Sequence, residues 1–134
     1  MAGDVYNIFD MVGGESTFKR LVDAFYSRVE ADPELRPMFP DDLEPGKHWQ
    51  YLFLMQYFGG PQRYAEERGH PRLRMRHSPF PIDDAARAGW LNHMFLAIDE
   101  VGIMEPARSF MRNYFEHAAS VMVNRVNPDE MDER

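Results

Sequence analysis

Apolar residues recur along this chain at three- and four-residue steps and almost nowhere alternate one by one. That period places side chains on one face of a helix, so the pattern predicts an all-α protein. The clearest run is ESTFKRLVDAFYSRVEAD, where Phe18, Leu21, Val22, Phe25 and Val29 share one face of an amphipathic helix that Pro33 ends. Before it, residues 4 to 11 form a short helix closed by Gly13-Gly14. After it, residues 33 to 38 allow one helical turn ahead of Phe39-Pro40, and the acidic DDLEPG is a loop. A third helix covers about residues 46 to 57, with Trp49, Leu52, Phe53 and Gln56 on one side, and Gly59-Gly60-Pro61 stops it.

The second half repeats the arrangement after a long connection. Residues 61 to 71 are polar and read as a long loop with room for one helical turn, followed by a short helix over 72 to 78. Asp83 suits the N-cap of a long helix to about residue 101, with Ala86, Trp90, Met94, Ala97 and Val101 inward. Pro106 suits the first turn of a last helix to about residue 126, with Phe110, Tyr114, Ala118, Val121 and Met122 inward. The charged tail NPDEMDER frays. Two helix pairs therefore flank the segment 59 to 82, which is long for a helix connection; such segments carry function or are disordered.

Composition narrows the class. The 134 residues suit one domain, with a core over about 4 to 126 and a charged tail over 127 to 134. At 44% apolar and 13% aromatic, the chain can bury a core and also wall a cofactor pocket. A net charge of −7 argues against nucleic acid as a partner. Without cysteine there is no disulfide, iron–sulfur or zinc–thiolate chemistry. No run of about 18 apolar residues and no signal pattern appears, so no membrane insertion and a cytoplasmic location are expected.

The chemistry concentrates in RLRMRHSPFPI, residues 72 to 82. Of five histidines, none forms a zinc or di-iron spacing, and His48, His93 and His117 read as structural. His77 differs: it sits on a short helix just before Pro79-Phe80-Pro81, with Arg74 and Arg76 close by. Two readings stay open on the residues alone. One is a solvated basic turn. The other is a single axial ligand to haem iron, with arginine forks for the propionates. Tyr26, Trp90 and Gln50 are core by default, but each has a polar tip that needs a partner when buried. Phosphate-loop, dinucleotide-binding and serine-nucleophile motifs are absent.

FYSRVEADPELRPMFP, QYFGGPQRYAEERGHPRLRMRHSPFPI and GWLNHMFLAI together resemble the truncated haemoglobins of group II, the O type, over about residues 4 to 126. The resemblance implies a two-over-two α-helical sandwich around haem b. It implies His77 as proximal iron ligand, Arg76 at a propionate, and Tyr64, His70, Arg74 and Phe80 along the haem edge and proximal side. Phe39, Phe53 and Ile82 complete the expected cofactor contacts, and Tyr26, Gly46, Gln50 and Trp90 form the distal set. Phe39 stands where relatives have tyrosine or phenylalanine, which removes one distal hydroxyl. Gly46 stands where many globins have a distal histidine and should leave an open entry, and Gln50 adds a donor where some members have leucine.

The function so implied is binding of O2 and other small ligands (CO, NO, sulfide), with release slowed by distal hydrogen bonds, which disfavours simple oxygen transport. The alternative is a haem oxidoreductase with peroxidase or NO-dioxygenase activity. That alternative needs an external reductase, because the chain has no flavin or NAD domain, and Gly46 supplies no distal acid–base group. The family also admits a homodimer, although no residue pattern marks its face.

Overall fold

The computed structural model describes residues 7–124. Its helices are α1 (Ile8–Met11), α2 (Glu15–Glu30), α3 (Glu44–Tyr57), α4 (Arg63–Arg68), α5 (Leu73–His77), α6 (Asp84–Glu100) and α7 (Ala107–Met122), with one 3-10 turn at Arg36–Met38. No strand occurs among the described residues. Helix α2 packs against both α3 and α6, and α6 packs against α7, so the two long pairs lie one over the other.

The apolar face read in α2 is its buried face: Phe18, Leu21, Phe25 and Val29 have no solvent exposure. They meet Leu52 and Met55 of α3, Met94 and Ile98 of α6, and Met111 and Phe115 of α7 in a single core. Truncating a fully buried Phe such as Phe18 to alanine costs about 3–5 kcal/mol in sites of this kind.

The inward face expected of α7 needed correction, while that of α6 holds: Met94 and Ala97 have no exposure, and Ala86, Trp90 and Val101 pack on the core. Phe110 and Val121 are exposed, at 53% and 38%, while Ala107, Met111, Phe115 and Ala119 are buried. In α6 the buried set includes Leu91 and Ile98, and Trp90 is only partly covered. Both helices have apolar arcs too wide for one neighbour, because one part meets the core and another lines a cavity. Tyr114, Ala118, Met122, Ala86 and Trp90 belong to the cavity part.

Boundaries differ from the expected ones in three places. Half of DDLEPG is helical, since α3 starts at Glu44 with Pro45 in its first turn, where proline lacks no needed N–H. The loop of 61 to 71 holds α4, which is longer than one turn. Helix α7 stops at Met122 rather than near 126, with Val123 and Asn124 non-helical; residues 125 to 134 lie outside the described residues, as does the start of the first helix. Asp83 caps α6 as expected, accepting the Ala86 N–H at 2.8 Å.

Local contacts then fix the ends of α3 and the turn after α2. Gly59 has φ +104°, and a Cβ at Gly59 or Gly60 would run into Asn7 or the Phe9 ring at 2.7 and 2.6 Å. The glycines therefore end α3 and also let α1 close on it, where Phe9 N–H donates to Phe58 O at 2.8 Å. Asp32 accepts from the Glu34 N–H at 2.9 Å and from His93 Nε2 at 2.7 Å, tying the turn that leads to Phe39 onto α6. The hydrogen bond from His93, then that from Glu34, holds the Asp32 carboxyl below its ordinary range.

Candidate functional site

A cavity of about 470 Å³ opens between the two helix pairs. Its size falls in the range of small-molecule and cofactor sites. Tyr26 comes from α2, Phe39 from the loop after the 3-10 turn, Gly46, Gln50 and Phe53 from α3, and Tyr64 from α4. Arg76 and His77 come from α5, Phe80 and Ile82 from the turn after it, and Trp90 from α6. Eleven of the thirteen residues expected at the site thus share one wall, and His70 and Arg74 do not.

Helix α5 has only five residues and no side-chain cap, so its position rests on contacts made around it. Arg72, which launches it, has φ +47°, a left-handed conformation that costs a non-glycine residue energy. His70 Nδ1 accepts the Arg72 N–H at 3.1 Å, and Arg76 Nε donates to Pro71 O at 2.8 Å. His70 is exposed and works on the backbone rather than at the cavity. Arg74 faces a separate shallow groove with Arg72, Met75, His117 and Val121.

His77 pairs its Nδ1 with the Leu73 carbonyl one turn earlier, at 2.7 Å. A carbonyl only accepts, so Nδ1 carries a proton, and the neutral ring of that tautomer leaves the Nε2 lone pair for a metal. The turn after α5 is then clamped from afar. Asn124 Nδ2 donates to Phe80 O at 2.9 Å and to His77 O at 3.3 Å, while its Oδ1 accepts the Ile82 N–H at 2.9 Å. Sequence reading missed Asn124 because it lay inside an assumed helix. The available signal was that asparagine favours backbone-capping geometry over helix interiors.

The other polar groups on the cavity lack protein partners. Tyr26 O–H and Trp90 N–H make no hydrogen bond to the described residues, and neither end of the Gln50 amide does, with Gln50 Oε1 fully buried. Burial pushes the Tyr26 phenol up to about 12, so it is a protonated donor at neutral pH. Its ring meets Phe39 edge-on at 5.9 Å and Phe25 at 5.3 Å. The tyrosine hydroxyl stands beside Gly46: a Cβ at Gly46 would lie 2.9 Å from Tyr26 Oη. Position 46 is small because the phenol already fills the space.

Charge on the cavity rim is one-sided. Arg68 and Arg76 line it, and Arg72 and Arg74 lie nearby, yet none of the four makes an ion pair among the described residues in a chain of net −7. Arg68, missed by the sequence reading, covers the Trp49 ring at 4.7 Å. Haem fits this set: aromatic walls for a flat ring, a neutral imidazole nitrogen for iron, free guanidinium N–H groups for carboxylates, and unpartnered donors for a small ligand.

Comparison with known proteins agrees with that fit. Residues 7–124 match the family described as bacterial-like globin. The chain is 44% identical over 117 residues to the group 2 truncated hemoglobin YjbI of Bacillus subtilis, covering 87% of this chain and 89% of that one. Among solved structures it superposes on the hemoglobin of Chloroflexus aurantiacus with a TM-score of 0.87 and 65% identity, covering 89% and 98% of the two chains. For the group II truncated hemoglobin of Bacillus anthracis the TM-score is 0.88 and the identity 44%, covering 90% and 93%.

Proposed function

The chain belongs to the bacterial-like globin family, among the group II truncated haemoglobins, and from that premise we propose that it holds haem b through His77 and binds O2, CO and NO with slow release. The observation that carries this reading is the Nδ1 bond of His77 to Leu73 O, which fixes the tautomer a metal needs on a helix that borders the cavity. Haem, when bound, would supply an iron able to take a diatomic ligand.

Arg76 and Arg68 answer the anionic edge of the cofactor, and Phe80 and Ile82 hold its apolar side. Tyr26 O–H and Trp90 N–H donate to a polar small ligand, and the Gln50 amide adds a further contact. Each such bond is worth about 0.5–1.5 kcal/mol, and about 1.4 kcal/mol is tenfold in an equilibrium, so two or three slow release by roughly one to three orders of magnitude. Ligands held that strongly suit storage, sensing or chemistry on the bound molecule better than delivery.

Absorption spectra of the purified protein, with and without CO, test the reading. A Soret band that shifts on adding CO is expected, and a colourless protein that takes up no haem overturns it.

A further inference from the structure

One aromatic contact joins the cavity to solvent and has no part in the reading above. Tyr57 ends α3 and is 50% exposed, and Tyr114 of α7 lines the cavity. Their ring centroids are 4.1 Å apart at 34°, closer than any other aromatic pair among the described residues. A second cavity-lining ring, Phe53, reaches Tyr57 at 6.0 Å. Two rings of the cavity wall thus converge on one surface phenol.

We propose that the Tyr57–Tyr114 pair is a one-electron port, through which phenolic donors at the surface are oxidised at the expense of hydrogen peroxide reaching the cavity. The proposal rests on haem being the bound cofactor. Cleaving the O–O bond of H2O2 to two waters takes up two electrons and two protons. Each donor phenol ArOH gives one electron and one proton and leaves as ArO•, so one peroxide consumes two donors. At Tyr57 the electron passes inward across the stacked contact to Tyr114 and the hydroxyl proton leaves to water. The resulting Tyr57 radical takes a hydrogen atom from the donor and is restored. No flavin or nicotinamide partner enters the balance.

Other cavity aromatics suit this task less well. Tyr26 is 7% exposed and its ring packs against Phe25 and Phe39, so no solvent-facing phenol continues it to the surface. Trp49 lies under the Arg68 guanidinium, and a fixed positive charge 4.7 Å from the ring opposes removal of an electron from it. Phe80 is partly exposed, but it has no hydroxyl proton to lose. Tyr57 is the more exposed of the two stacked phenols, so its hydroxyl is the one that can pass a proton to water.

The test uses ferric, haem-loaded protein treated with one equivalent of H2O2 and a nitroso spin trap, with adducts mapped by peptide mass spectrometry and guaiacol oxidation followed in parallel. Wild type should carry the adduct on Tyr57. Tyr57→Phe should lose it and oxidise guaiacol at least several-fold more slowly, with Soret and CO spectra unchanged. Tyr114→Phe keeps a ring at the contact and should lower the Tyr57 adduct several-fold per haem bound. Adduct formation on Trp49 or elsewhere, indifferent to both substitutions, would overturn the port while leaving the haem reading intact. Failure of the wild-type chain to bind haem overturns both.

Discussion

His77 is placed chiefly by residues within seven positions of it, whereas Tyr26, Phe39, Gln50 and Trp90 reach the same cavity from four separate parts of the chain. On the His77 side, Leu73 fixes the imidazole, Arg76 and His70 hold the backbone that launches α5, and Asn124 adds one distant clamp. On the other side no polar group is fixed by a bond to a neighbour: Tyr26, Trp90 and Gln50 are held by packing, with their hydrogen-bonding capacity unspent. A metal ligand gains from being locked in one tautomer and direction. Donors meant for a transient ligand must stay unpaired until it arrives, and rigid aromatic packing lets them do so at the cost of unsatisfied polar groups.

The strongest way to break the comparison is at His77. His77→Gly should lower haem retention by roughly tenfold or more, and free imidazole should restore the Soret band, because an external ring can replace the side chain but not the helix that positions it. Retention without imidazole equal to wild type would make α5 a solvated basic turn after all. Trp90→Phe keeps most of the packing against Phe25 and Phe115 and removes only the N–H. O2 dissociation measured by flow kinetics should rise several-fold to about tenfold, the worth of one hydrogen bond. An unchanged rate would reduce Trp90 to packing. The smallest effect belongs to Gln50→Leu, which should speed O2 release a few-fold while thermal stability holds or rises, since a buried oxygen without a partner is removed. A fall in melting temperature with no kinetic change would assign the amide to structure.

Legibility in the sequence followed the same division. The apolar face of α2 could be read residue by residue, because that helix is buried along one stripe and its 3.6-residue period is undisturbed. The face of α7 was misjudged because it serves the core and the cavity at once, so Phe110 and Met111 are equally apolar neighbours that only packing distinguishes. The family motif places His70 and Arg74 along the haem edge and proximal side, yet His70 serves the backbone of Arg72 and Arg74 faces another groove.

By itself the sequence determined an all-α chain in two helix pairs, with a basic, proline-stopped segment carrying one unusual histidine and a long motif that matches the truncated haemoglobins. These are local or periodic signals, and short-range sterics and solvation write them directly into residue order. Tertiary structure decided that Tyr26 fills the space beside Gly46, that Asn124 clamps the turn after His77, and that Tyr57 stacks on a cavity-wall tyrosine. Such contacts join residues 20 to 57 positions apart, so their partners follow from how the helices cross rather than from any spacing along the chain.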